Sequence, residues 1–336
     1  MHETSAVVRP RMAARVAPAL GLFFLAPLTG EYLLGNVPAS EIAGVIFLAP
    51  MYGGGAILVR EAARRAGRGW TAILLLAAAY GVFQPGLLDQ ALFNSNYDGR
   101  YDFTSLAAVP GLGFSAFYAE TFVAGHAIWS IGIPIAIMEA LVPRRSTTPW
   151  LGRTGLVVTG VVFLFGCWII LDDHARSFVA PAPQLIGAGV VTAVLVVAAF
   201  AVRRREGPMA DRRTPRPWAA GGLMFVLTGA FVARPESVAG AVMGGLLLAA
   251  MGVLVVRWSG RQGWTAVHRV AVAGGALLTY MWTGYVLLYL SGVATTANLI
   301  GQTVLVVAML ALLFVTVRVA RRSVRDQSWR GRPETS

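Results

Sequence analysis

Five side chains able to bind ions, hold protons or form strong hydrogen bonds stand inside otherwise apolar stretches: Glu31, Gln84, Asp89, Glu120 and His126. A charged carboxylate deep in hydrocarbon costs roughly 2.5–3.5 kcal/mol on insertion scales. Glu120 must therefore be protonated, paired or in contact with water. Helical spacing puts Phe122, His126 and Ser130 on one face, with Glu120 ~120° round the helix from His126. The five are assigned together as a substrate-binding set for a small molecule, lipid or ion; for Glu31 and Asp89 a simple place at the membrane surface fits as well. A metal centre wants three or four ligands in reach, and His126 with Glu120 supplies two, so no metal and no cofactor is expected. No catalytic residue is identified.

The chain around these residues is rich in helix breakers. Pro27 and Gly30 precede Glu31, Pro50 precedes Tyr52 and Gly53-Gly54-Gly55, Gln84 is followed by Pro85-Gly86, and Pro134 follows Ser130. Proline removes a backbone donor and glycine weakens a helix, so backbone groups there are expected to be freed. In lipid such groups must find partners or line a wet cavity. Elsewhere the small residues, such as Gly187 with Gly189 and Gly240 with Gly244 and Gly245, are expected to serve close helix packing. Glu61 and Glu139 stand beside arginines and are expected to be ion-paired. Asp172-Asp173-His174 is expected to be a solvated acidic loop, and Cys167 a small apolar packing residue. There is no Walker loop, dinucleotide fingerprint, nucleophile elbow or paired-cysteine motif.

The elements that must position the set are transmembrane helices. Hydrophobic residues make up 56% of the 336 and charged residues 13%, about half the charged share of a soluble domain. Ten spans are expected, at 16–35, 42–60, 70–91, 112–141, 153–171, 184–202, 217–233, 237–256, 270–290 and 296–317. The fold class is thus an all-α polytopic bundle of about ten helices. The net charge of +12 comes with no lysine at all. All the arginines except Arg100, Arg176 and Arg234 fall in alternate connections or at the two ends, which by the positive-inside rule puts both termini in the cytoplasm. One missed helix would destroy that asymmetry. Trp70, Trp150, Trp258 and Trp264 lie at the same ends, where indole rings favour the interface. By rise per residue, Gln84 sits ~21 Å from the inner surface and His126 ~18 Å below the outer one. The polar set therefore shares the outer half of the membrane.

The chain divides into a four-helix unit at 1–143, a six-helix unit at 144–320 and a basic tail at 321–336. The apolar run after the first arginines is read as a retained first helix rather than a signal peptide. The expected setting is the bacterial inner (plasma) membrane, multi-pass. The arginine-rich loops are expected to meet a lipid bilayer with anionic headgroups and not nucleic acid. A partner membrane protein or a separate ATPase is left open.

Gly30-Glu31-Tyr32-Leu33-Leu34-Gly35, Tyr52-Gly53-Gly54-Gly55 with Arg60-Glu61, Ala79-Tyr80-Gly81-Val82-Phe83 and His126-Ala127-Ile128-Trp129-Ser130-Ile131 resemble a family of uncharacterised prokaryotic polytopic membrane proteins over helices one to four. That resemblance implies architecture and no assigned activity. A second resemblance is to the CPBP-type intramembrane proteases, where a double-glutamate motif and Phe-x-x-x-His build the catalytic site. Phe122-Val123-Ala124-Gly125-His126 fits the second motif, but Gln84-Pro85 stands where the glutamate pair would fall and the following arginine is absent. The second resemblance thus implies a member without protease chemistry. Three readings follow: binding or transport through a cavity in helices one to four, an intramembrane enzyme or degenerate protease, and a non-catalytic subunit acting through a partner.

Overall fold

The structure is a computed structural model and describes residues 12–97, 99–202 and 213–330. Arg9, Arg11, the 203–212 stretch and the 331–336 end, all of which enter the charge argument above, lie outside the described residues. Among the described residues the regular structure is all helical, without a strand.

Ten helices form where ten apolar stretches were expected. α1 (Met12–Pro27) continues as a π turn over Leu28–Tyr32, and α2 (Val45–Arg65) follows a 3-10 turn at Ala39–Gly44. α3 (Trp70–Phe83) also ends in a π turn, Gln84–Leu88. α4 runs from Ala116 to Leu141 with a π segment at Gly125–Gly132 in its middle. Then come α5 (Arg153–Ala175), α6 (Ala182–Ala201), α7 (Pro217–Val232), α8 (Val238–Ser259), α9 (Ala266–Leu290) and α10 (Thr296–Arg330). Eight are long and apolar enough to cross a bilayer, while Val16–Tyr32 and Pro217–Val232 are shorter. Caps come from the sequence: Ser115 Oγ accepts from Tyr118 N at 3.2 Å to start α4, and Ser237 Oγ accepts from Gly240 N at 3.1 Å to start α8. Each leaves one fewer unpaired amide at a helix start.

Helices α3, α4 and α9 form the centre, with 61% of their spanning residues buried; for α5 and α6 the figure is 11%. α5 packs on α2, α6 on α3, α7 on α9, and α8 on α4 and α7. The outer helices turn Val157, Leu164, Val190 and Val197 outward. Hydrocarbon is a favourable solvent for that surface, so little burial is needed there.

The glycine triplet of α2 departs from expectation. α2 runs unbroken through Pro50 and Gly53–Gly55, so the triplet frees no backbone groups. It makes room instead: a Cβ at Gly53 would strike the backbone of Phe23 on α1, and one at Gly55 would strike the Tyr80 ring on α3. Gly187 and Gly189 differ the other way, since a Cβ at either would meet nothing within 4 Å; they serve no close approach.

The arginine-rich ends of α2 and α4 are locked by a buried charge network. Arg60 lies 2.5 Å from Glu61 and 3.2 Å from Glu139, and Arg64 lies 2.6 Å from Glu139. Arg60 also donates to the carbonyls of Arg145 and Thr148, and Glu61 accepts from Trp150 N at 2.8 Å. The expected pairing of Glu61 and Glu139 is present. The Trp150 ring, expected at the interface, is buried beneath the Arg60 guanidinium, 3.7 Å away. A guanidinium that has lost its water stacks on an aromatic face. Trp258 is likewise buried.

Candidate functional site

Three of the four N-terminal helices change winding, and each change holds a residue of the polar set. In the π turn after Pro27, Leu33 N bonds to Leu28 O at 2.9 Å; in that containing Pro85, Asp89 N bonds to Gln84 O at 3.2 Å. Both are i to i−5 bonds. Proline lacks the N–H that an α turn needs, so Pro85 cannot close an α turn onto Gly81 and is tolerated at the first turn of the π segment. π segments recur at functional positions because they turn side chains out of helical register. Here Glu31, Gln84 and His126 all lie within one.

Glu31 and His126 meet through Tyr52. The Tyr52 hydroxyl contacts Glu31 Oε1 in a short hydrogen bond, and lies 3.2 Å from His126 Nε2. Asn36 Nδ2 donates to Glu31 Oε2 at 2.6 Å, and His126 Nδ1 faces Phe122 O at 2.7 Å. The Tyr52 and His126 rings stack, 5.7 Å between centroids and 11° apart. Glu31 and Tyr52 are buried, whereas His126 is only half-buried. Helix packing brings these groups together: at Gly30 a Cβ would collide with Ser130 Oγ, so α1 and α4 approach closely one residue before Glu31.

Tyr80, Gln84 and Asp89 extend the cluster along α3. The Tyr80 ring lies 6.3 Å from Tyr52 and 6.1 Å from His126, yet its buried hydroxyl has no hydrogen-bond partner. Gln84 Nε2 donates to Asp89 Oδ2 at 2.8 Å while its buried Oε1 is also unpartnered. Asp89 Oδ1 accepts from Ala91 N at 3.0 Å. Glu31 and Asp89 both lie within electrostatic reach of Tyr52 and Tyr80. Among the described residues neither carboxylate has an ion-pair partner. Gln90, next in the chain, has φ +55°, and its side chain accepts from Ala180 N at 2.7 Å. A left-handed non-glycine residue costs on the order of 1 kcal/mol, and that bond to the start of α6 holds it.

The connection from α3 to α4 covers this end of the cluster with aromatic rings. Phe103 packs against Phe122 at 5.0 Å and Tyr118 at 4.9 Å. His174, expected in a solvated loop, bonds to the Tyr97 hydroxyl at 2.8 Å through Nε2 and faces Ile170 O at 2.9 Å through Nδ1. Asp172 pairs with Arg176.

Glu120 stands apart from the other four. Its carboxylate lies 3.9 Å from Arg234 and against Gly244 and Gly245 of α8. Arg234, expected in an outer loop, is buried between Phe117 and Phe231 at 4.1 and 4.0 Å, and donates to Phe231 O, Phe117 O and Thr121 Oγ1. Burial lowers its pKa, with Glu120 acting in the opposite sense. Glu120 thus has an ion-pair partner, although its buried Oε2 takes no hydrogen bond, and with Val109, Ala116, Val238, Val242 and Leu246 it lines an open groove of about 500 Å³. Reading Glu120 and His126 on one helix could not show this, because the side of α4 that meets α8 depends on the order of helices in the bundle.

Tyr52, Asn36 and Tyr80 are central to the geometry and absent from the sequence-assigned set. A tyrosine in an apolar run is most often a packing residue; the one signal was Tyr52 beside Pro50 and three glycines. No three His, Cys, Asp or Glu side chains converge among the described residues. Among the described residues the arrangement offers carboxylates without ion-pair partners, a hydroxyl and an amide oxygen without hydrogen-bond partners, and a half-buried imidazole. These features suit binding of a polar or positively charged group.

No curated protein and no solved structure matches the chain. The likeness to CPBP-type proteases is not shown by these comparisons. The profile of an uncharacterized membrane protein family matches residues 20–328, well beyond the first four helices. The chain therefore belongs to that family of multi-pass membrane proteins.

Proposed function

We propose that the protein binds a small polar solute or ion at Glu31, Tyr52, Tyr80, Gln84, Asp89 and His126, and passes it across the membrane through helices α1 to α4. The observation that carries this reading is that, among the described residues, Tyr80 Oη and Gln84 Oε1 are buried without hydrogen-bond partners near Glu31 and Asp89, two carboxylates without ion-pair partners. Natural interiors satisfy buried polar groups, and a ligand would satisfy these. The proposed orientation puts the arginine-rich ends in the cytoplasm, against anionic headgroups of the plasma membrane. The polar cluster then opens outward, beneath the α3–α4 connection. Energy from ATP would require a separate ATPase.

Glu120 supplies an internal control, since it belongs to a different place. A ligand present at about 100 times its Kd adds about 2.7 kcal/mol of stability. Thermal unfolding of the purified protein against a panel of small cations, amines and neutral polar solutes is expected to find compounds that raise Tm. Glu31→Gln is expected to remove that shift and Glu120→Gln to keep it. Equal loss in both variants, or no shift from any member of the panel, contradicts the proposal.

A further inference from the structure

The hydrogen bonds of Glu31, Tyr52 and His126 can be counted. A carbonyl oxygen only accepts, so the 2.7 Å contact of His126 Nδ1 with Phe122 O requires a hydrogen on Nδ1. Nε2 then carries a second hydrogen only when the ring is an imidazolium. Tyr52 Oη contacts both Nε2 and Glu31 Oε1. The chain Nε2–Oη–Oε1 is two hydrogen bonds long and needs two hydrogens, of which the tyrosine supplies one. The other is an additional proton, held either on Nε2 or on Oε1.

The two placements interconvert by a paired shift. The Nε2 proton moves to Tyr52 Oη as the tyrosine proton moves to Glu31 Oε1. One N–H and one O–H bond break, two O–H bonds form, and an imidazolium–carboxylate pair becomes a neutral imidazole and a carboxylic acid. Both forms are neutral overall. Loss of the additional proton leaves a net charge of −1 on the three residues, close to Asp89.

The surroundings favour a cation in its place. The titratable groups around the three residues are Tyr32 and Glu41 near Glu31, Tyr80 and Asp89 from α3 and its end, Cys167 from α5 beside Tyr80, His174 from α5 acting on Asp89, and Tyr280 from α9. Among them no arginine is present to compensate the charge. The unpartnered oxygens of Tyr80 and Gln84 lie on the same helix, one turn apart. Interrupted helices with such oxygens are suited to small cations and protons near the middle of a bilayer. We infer that Glu31, Tyr52 and His126 hold one exchangeable proton, and that a small monovalent cation, an alkali ion or a primary ammonium, takes its place in the site. This rests on the binding-site reading above and gives it a ligand class and a coupling ion.

The test uses the full-length protein in detergent, weakly buffered near neutral pH, with a pH indicator. NaCl, KCl and ethylammonium chloride are added separately, choline chloride serving as the bulky control. At least one of the three is expected to release up to about one proton per chain. The arms separate an alkali ion from an ammonium ligand. Tyr52→Phe, which keeps the ring and removes the middle oxygen, is expected to reduce release at least tenfold, as is Glu31→Gln. Absence of release with all three salts overturns the inference, as does undiminished release from Tyr52→Phe. A His126→Cys variant labelled from water in the same preparation keeps the binding-site reading intact when release fails; a protected one removes both.

Discussion

Replacement of Tyr52 by phenylalanine separates a wet site from a sealed one. The ring is retained, so stacking on His126 at 5.7 Å and the contact with Tyr80 at 6.3 Å are kept. Only the hydroxyl is lost, and with it one bond to a carboxylate and one to an imidazole. The first contributes about 1.5–3 kcal/mol and the second about 0.5–1.5 kcal/mol when nothing replaces them. In a dry interior the variant would therefore lose about 2–4.5 kcal/mol. A water in the vacated space bonds nearly as well as the hydroxyl, at an ordering cost of about 0–2 kcal/mol. His126 is half-buried rather than enclosed, so the expected loss is about 1 kcal/mol, roughly a fivefold change in the folded-to-unfolded ratio. Reversible unfolding in mixed micelles, with a urea or SDS titration, reads this directly. A loss above about 3 kcal/mol refutes the wet cavity, because it requires that no water reaches Glu31 Oε1 and His126 Nε2.

Other outcomes follow from the rest of the fold. Glu139→Gln leaves Arg64 without its carboxylate at 2.6 Å and is expected to cost about 3–5 kcal/mol in the same unfolding assay; a loss below about 1 kcal/mol would mean that water reaches this network. Gly53→Ala drives a methyl into the Phe23 backbone and is expected to cost about 1–3 kcal/mol. Gly187→Ala meets open space and should be neutral or stabilising by up to about 1 kcal/mol; an equal cost in both variants contradicts the packing described. At Asp102, hydrogen bonds from Thr104 and Ser105 lower the carboxyl pKa. A depressed folded pKa stabilises above the unfolded value near pH 3.9 and is lost as pH falls through the folded one. Amide exchange at Thr104 should therefore stay slow through about pH 4, and opening above that pH contradicts the assignment.

The helices were legible because each is an apolar run bounded by arginine, proline or glycine, and hydrophobic length alone sets such boundaries. Glu61 and Glu139 were legible for a similar reason, having arginines one and four residues away or facing them at the same membrane depth. The polar set was legible as residue types at a depth, and only partly as neighbours. Glu31 and His126 do meet, but through Tyr52, which periodicity does not distinguish from a packing residue. Glu120 went elsewhere because its partner Arg234 follows α7, and the lateral order of helices in a bundle leaves no trace in hydropathy. The breakers near Gln84 and His126 signalled altered winding correctly. The triplet at Gly53–Gly55 did not, since glycine also permits close helix contact and the surroundings decide which use prevails.

The central claim is that water and ligand reach His126, and thiol labelling tests it most directly. The protein carries His126→Cys in a Cys167→Ser background, and Leu164→Cys in the same background supplies a lipid-facing control on α5. A membrane-impermeant reagent is applied from the side of the α3–α4 connection. Labelling of the cysteine at 126 well above the control is the predicted result. Protection of a correctly folded His126→Cys protein to the level of Leu164→Cys contradicts the account and makes His126 a structural residue.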